Sequence, residues 1–226
     1  MIELVKPKKY EVDWPGWPLS INQFGDEFDE AARIRMIIGG KRLIPFIAKY
    51  SDRLGNAFFE IGPFFNPLTV GKELQNVISP GRFIVFLEND PFAVSWLKST
   101  FQANVIVLDM NAPDFRNELS LCLLEEAGRP ASLFDTVIIS QVLNYIDFRL
   151  LFETVYTLLK PGGLLFINNV INYGIPPLFS PRRPLGNDEV IQGALEKGFT
   201  LIEKAIVPNY FKKEMHERLI LVLEKN

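Results

Sequence analysis

The chain has 226 residues, 48% of them hydrophobic and 23% charged, a length and balance that suit one globular α/β domain with appendages and exclude a disordered chain. A formal net charge of −3 and a pI near 5.4 give no general reason to expect a nucleic acid or another polyanion as partner. Cys122 and His216 are the only cysteine and histidine, so an intrachain disulfide and a zinc cluster of Cys and His are excluded, and no metal is expected.

Residues 1–23 carry Tyr10, Trp14, Trp17 and three prolines without periodicity, and are expected to form an ordered arm. Residues 26–50 place apolar side chains at three- and four-residue spacings with a break at Gly39 and Gly40, which predicts two helical pieces. Residues 1–50 are thus expected to be an N-terminal appendage, able to close as a lid, and residues 51–226 the main domain. From Ala57 the pattern changes to short apolar runs rich in Val, Ile and Phe at residues 57–61, 83–87, 105–108, 134–140 and 164–170, as strands covered on both faces require. Between them, residues 68–78, 91–102, 114–127 and 147–159 have helical character, and such alternation builds right-handed crossovers around a parallel sheet.

Residues 188–197 predict one more helix. The runs 199–207 and 218–223 follow it with an interval too short for a helical crossover, so they are expected to pair antiparallel. The fold class is therefore α/β: doubly wound, with a mostly parallel seven-stranded sheet ending in an antiparallel hairpin. No apolar run approaches the roughly 18 residues of a membrane span or has the form of a signal peptide, which predicts a cytoplasmic protein without a membrane partner. Oligomeric state has no signature in the chain.

Ligands of open α/β sheets bind beyond the carboxyl ends of the strands. Glu60 and Gly62 to Pro67 follow the first run, Glu88, Asn89 and Asp90 the second, Asp109, Met110 and Asn111 the third, and Ser140, Gln141 and Val142 the fourth. An acidic residue ends three successive strands.

This succession resembles the class I, Rossmann-like S-adenosylmethionine-dependent methyltransferases. Glu60-Ile61-Gly62 resembles the start of that family's glycine loop, Glu88 and Asp109 the acids ending its second and third strands, residues 134–143 its fourth strand, and residues 159–163 the turn before its fifth. The resemblance implies S-adenosylmethionine as cofactor, with Glu60 attracting the methionine ammonium, Glu88 accepting from the ribose hydroxyls and Asp109 from the adenine amine. Gly62, Pro63, Asn66, Asn89, Met110, Ser140 and Gln141 complete the expected cofactor site. The loop departs from the family at Phe64 and Asn66, where glycines are expected. A dinucleotide, which needs close backbone approach around its pyrophosphate, suffers more from that loss than a cofactor without phosphate.

Methyl transfer from a sulfonium is an in-line displacement that needs positioning, water exclusion and, for a protonated acceptor, a base. Tyr145 and Asp147 are the catalytic candidates and Asn144, Asn169 and Tyr173 the substrate-binding ones, with helix capping as the alternative use of Asp147. The pair Arg182-Arg183 and the lone His216 are read as surface residues. A small organic acceptor is the expected substrate. The rival reading, motivated by Phe64 and Asn66, is a methyltransferase-like domain that has lost catalysis and serves as a binding or scaffold protein.

Overall fold

Seven apolar runs of the chain form one sheet in the computed structural model, which describes residues 39–226 except 79–80, 102, 128–133, 174–177, 212–213 and the side chains of 209–215. The arm with Tyr10, Trp14 and Trp17, and the first helical piece as far as residue 38, lie outside the described residues. The strands are β1 (Ala57–Ile61), β2 (Phe83–Leu87), β3 (Asn104–Ile106), β4 (Phe134–Ser140), β5 (Leu159–Val170), β6 (Phe199–Phe211) and β7 (Glu214–Lys225). Their order is β3-β2-β1-β4-β5-β7-β6. The first five are parallel, and β7 joins β5 antiparallel with β6 outside it, as the short interval between the last two runs requires. Among the described residues no helix is long and apolar enough to cross a membrane.

Among the described residues the α-helices with both ends defined are α1 (Ile44–Lys49), α2 (Pro91–Phe101), α3 (Phe115–Ala127), α4 (Phe148–Leu158) and α5 (Asn187–Glu196). Alternation along each strand divides the sheet between two apolar layers. On one face Phe58, Ile138, Phe166, Ile220 and Val222 meet Leu43 and Ile47 at α1, and Phe86 meets Trp96 and Leu97 of α2. On the other, Phe59, Val137, Ile139, Ile167 and Leu221 meet Phe115, Leu119, Phe152, Val155 and Val190 from α3, α4 and α5. Each fully buried Phe or Leu is worth about 1.5–3 kcal/mol of transfer free energy, so these layers hold the strand ends in fixed relation.

Two local expectations change. Residues 68–78 form no α-helix, only a 3-10 turn at Lys72–Leu74, because Gly71 is extended (φ −68°, ψ 143°) and the N–H groups of Leu68 and Thr69 are taken by Glu60. Leu68, Leu74 and Ile78 still bury their side chains on the α1 face, so the segment keeps its apolar spacing without the helix. The turn expected at residues 159–163 lies inside β5: Leu159 pairs with Phe134 and Leu164 with Thr136, so the residues between them bulge out, with Gly162 at φ 75°.

Candidate functional site

Strand order reverses between β1 and β4, and beyond their carboxyl ends opens a cavity of about 430 Å³. Gly62 and Phe64 from the loop after β1, Glu88, Asn89, Asp90 and Pro91 after β2, Asp109, Met110 and Asn111 after β3, and Ser140, Gln141, Val142, Tyr145 and Ile146 after β4 line it, with Leu178 closing one side. Three lining residues are carboxylates and, among the described ones, none is basic. Such a cavity favours a cation and disfavours phosphate.

The loop after β1 is shaped by two carboxylates. Glu60 is buried, and its oxygens accept from Leu68 N (2.7 Å), Thr69 N (3.0 Å) and Thr69 Oγ1 (2.7 Å). Burial nonetheless pushes its pKa from 4.5 up to about 6. Glu60 is not among the residues lining the cavity; its carboxylate organises the segment behind the wall. Glu88 is also buried, and accepts from Phe64 N (2.8 Å), Asn89 N (2.9 Å) and Asp90 N (3.0 Å). Burial raises its pKa, against the lowering effect of these N–H groups. An ionised carboxylate offers about four acceptor positions, so one on Glu88 is left for a ligand.

Gly62 is left-handed (φ 62°), and a Cβ there would lie 2.4 Å from Val142 Cγ2. Phe64 is left-handed as well (φ 50°), the conformation for which a glycine is expected. Its N–H is held by Glu88 and its ring lies edge-on to Phe65 at 4.5 Å, against the apolar cluster of Phe86, Trp96 and Leu97. Phe64 thus borders the cavity while its ring joins the α2 core. Of the remaining loop residues, Pro63 is buried, with its carbonyl accepting from Asn66 N, and Asn66 lies against Gly40; neither lines the cavity.

After β4 the chain turns on Gln141 (φ 59°), whose amide receives Val170 N and donates to the carbonyls of Val170 and Tyr173. Asn144, fully buried, donates to the same two carbonyls and accepts from Asn172 N. Asn169 is also fully buried and accepts from Leu143 N. Tyr173 is largely buried, its ring 5.9 Å from that of His216. Asn144, Asn169 and Tyr173 therefore tie the ends of β4 and β5 together and do not line the cavity.

Tyr145 does line it, backed by Phe179 at 5.6 Å. Asp147 does not: it caps α4 by accepting from Arg149 N and Leu150 N, and pairs with Arg182. Asp147→Ala is expected to lower stability by about 1 kcal/mol in urea denaturation, the usual worth of such a cap, with ligand affinity unchanged.

The structure gathers Gly62, Glu88, Asn89, Asp109, Met110, Ser140, Gln141 and Tyr145 and adds Phe64, Asp90, Pro91, Asn111, Val142, Ile146 and Leu178. Of these additions, Phe64, Asp90, Asn111 and Val142 stand in the segments already marked at strand ends, and Pro91 and Ile146 lie close after them. Leu178 belongs to the proline-rich stretch after the fifth apolar run, on the side of the sheet where ligand-facing loops lie, and its segment is held by Ser180 N donating to Asn144 O.

No protein-family model matches the chain. Over 119 residues, half of the chain, it is 33% identical to the mitochondrial ubiquinone biosynthesis O-methyltransferase of Mus musculus, of which that stretch spans 28%. An S-adenosylmethionine-dependent methyltransferase from Clostridium acetobutylicum superposes with a TM-score of 0.59 at 12% identity, over 91% of this chain and 98% of that one. The N-methyltransferase NodS from Bradyrhizobium japonicum WM9, in complex with S-adenosyl-L-homocysteine, gives 0.56 at 18% identity over 95% and 93%. The resemblance to class I methyltransferases thus holds in sequence over half the chain and in fold over most of it.

Proposed function

We propose that the chain is an S-adenosylmethionine-dependent methyltransferase acting on a small organic acceptor. The observation that carries this reading is the switch-point cavity, with carboxylates from Glu88, Asp90 and Asp109 and no basic lining residue among those described, which suits a ligand cationic at its sulfonium and ammonium. The sequence match to a methyltransferase supports it. Glu88 would accept from one ribose hydroxyl with its remaining acceptor position, and Asp109, Met110 and Asn111 would take the adenine. The cofactor would supply an electrophilic methyl group. The chain's own part is to hold the nucleophile in line with it and keep water out. Tyr145, the only phenol among the described lining residues, would orient or deprotonate an acceptor hydroxyl or amine.

Calorimetric titration with S-adenosylmethionine, S-adenosylhomocysteine and NAD tests the reading. Both sulfur compounds are expected to bind and to raise thermal stability, by about 2.7 kcal/mol at 100 times the dissociation constant, while NAD does neither. Absence of binding by both would refute it and favour the non-catalytic domain, a reading that Phe64 at the cavity edge supports.

A further inference from the structure

Toward the cavity, the α1 face of the sheet changes from apolar to polar. Ser140 on β4 stands in register beside Asn168 on β5, and Asn168 reaches Arg218 on β7. Asn168 is fully buried and Arg218 is 3% exposed. Gly39 and Gly40 cover this row closely: a Cβ on Gly39 would lie 2.4 Å from Arg218 Nη2, and one on Gly40 2.3 Å from Asn66 Nδ2, so a side chain at either would displace the end of that neighbour.

The row has a definite hydrogen-bond polarity. A guanidinium carries only donors, so the Asn168 atom 2.7 Å from Arg218 Nη1 must be the oxygen. A carbonyl only accepts, so the atom 2.9 Å from Gly39 O must be the nitrogen. Two independent neighbours thus fix the amide the same way round. Its Nδ2 then donates to Ser140 Oγ at 3.2 Å. Ser140 must place its own hydrogen elsewhere, no described residue accepts it, and the side chain lines the cavity.

The adjacent strands β3, β2, β1 and β4 set Asp109, Glu88, Gly62 and Ser140 in that order across the cavity. With adenine and ribose at the first two, the amino-acid end of the cofactor falls at the last. We propose that Arg218, through Asn168, makes Ser140 a hydrogen-bond donor into the cavity, where it holds the carboxylate of the cofactor's amino-acid end. The inference rests on the methyltransferase reading. Ser140 is the contacting residue, and Asn168 and Arg218 are positioning residues.

The test compares S-adenosylhomocysteine with its decarboxylated analogue by calorimetry. Ser140→Ala is expected to weaken the first about tenfold, as for one hydrogen bond to a charged group, and to leave the second unchanged. Ser140→Thr, which keeps the hydroxyl, retains affinity. Asn168→Asp would accept from Arg218 and from Ser140 together, turning the hydroxyl's lone pairs toward the carboxylate, and should lose as much as Ser140→Ala. Arg218→Met, which frees the amide to rotate, should lose several-fold for the carboxylate ligand alone; whichever of these two folds tests the relay. Unchanged affinity in Ser140→Ala, or an equal loss for both ligands, overturns the inference. Failure of the unmutated chain to bind the homocysteine product would overturn the cofactor reading and this inference with it.

Discussion

Glu60→Ala is expected to cost about 3 kcal/mol of stability at pH 7.5 and about 5 kcal/mol at pH 4.5, measured by urea denaturation. The substitution leaves Leu68 N, Thr69 N and the Thr69 hydroxyl without their acceptor, each worth about 1 kcal/mol or more when buried. The pH dependence follows from the pKa, raised from 4.5 to about 6 by burial. The folded protein holds this proton more tightly than the unfolded chain. The resulting stabilisation is fully present below pH 4.5 and is lost as pH rises through about 6. A shift of that size corresponds to about 2 kcal/mol, by which the gap between the unmutated protein and the variant narrows toward neutral pH. A gap that stayed constant or widened with pH would refute the assignment of a buried, proton-holding Glu60.

The same residue shows where sequence and structure part. β1, β2 and β4 coincide with their apolar runs because strands covered on both faces need no polar position within them. β6 and β7 extend well past their apolar runs, since antiparallel pairing continues through Pro208, Glu217 and His216, where burial no longer dictates composition. Residues 68–78 have helical spacing, yet the neighbouring Glu60 carboxylate captures the first N–H groups and Gly71 goes extended. Spacing reports which side chains are buried, and here two backbones satisfy it.

The site was legible to the extent that topology alone places residues. Gly62, Glu88, Asp109 and Ser140 end adjacent strands, so any open sheet of this order brings them to one cavity. Roles were harder, because a carboxylate at a turn has backbone N–H groups within reach before any ligand arrives. Glu60 and Asp147 are satisfied in that way. Phe64 keeps the left-handed backbone of the residue it replaces and packs its ring against the α2 core at the cavity's edge, so the loop tolerates its lost glycine at a cost of about 1 kcal/mol or more.

Glu88→Ala is expected to weaken S-adenosylhomocysteine at least about a hundredfold, or roughly 2.7 kcal/mol. Two losses combine. The ribose loses its charged acceptor, worth about 1.5–3 kcal/mol, and Phe64 N, Asn89 N and Asp90 N lose theirs, which releases the loop that forms the cavity's edge. Because the carboxylate serves the nucleoside half of the ligand, 5′-methylthioadenosine should weaken by the same factor, in contrast to Ser140→Ala, whose effect is confined to ligands bearing a carboxylate. Circular dichroism and a urea midpoint separate loss of the loop from loss of the fold, since the two apolar layers that hold β1 and β2 do not include Glu88. Unchanged affinity in a folded Glu88→Ala protein would show that the carboxylate serves the loop alone and that the nucleoside lies elsewhere.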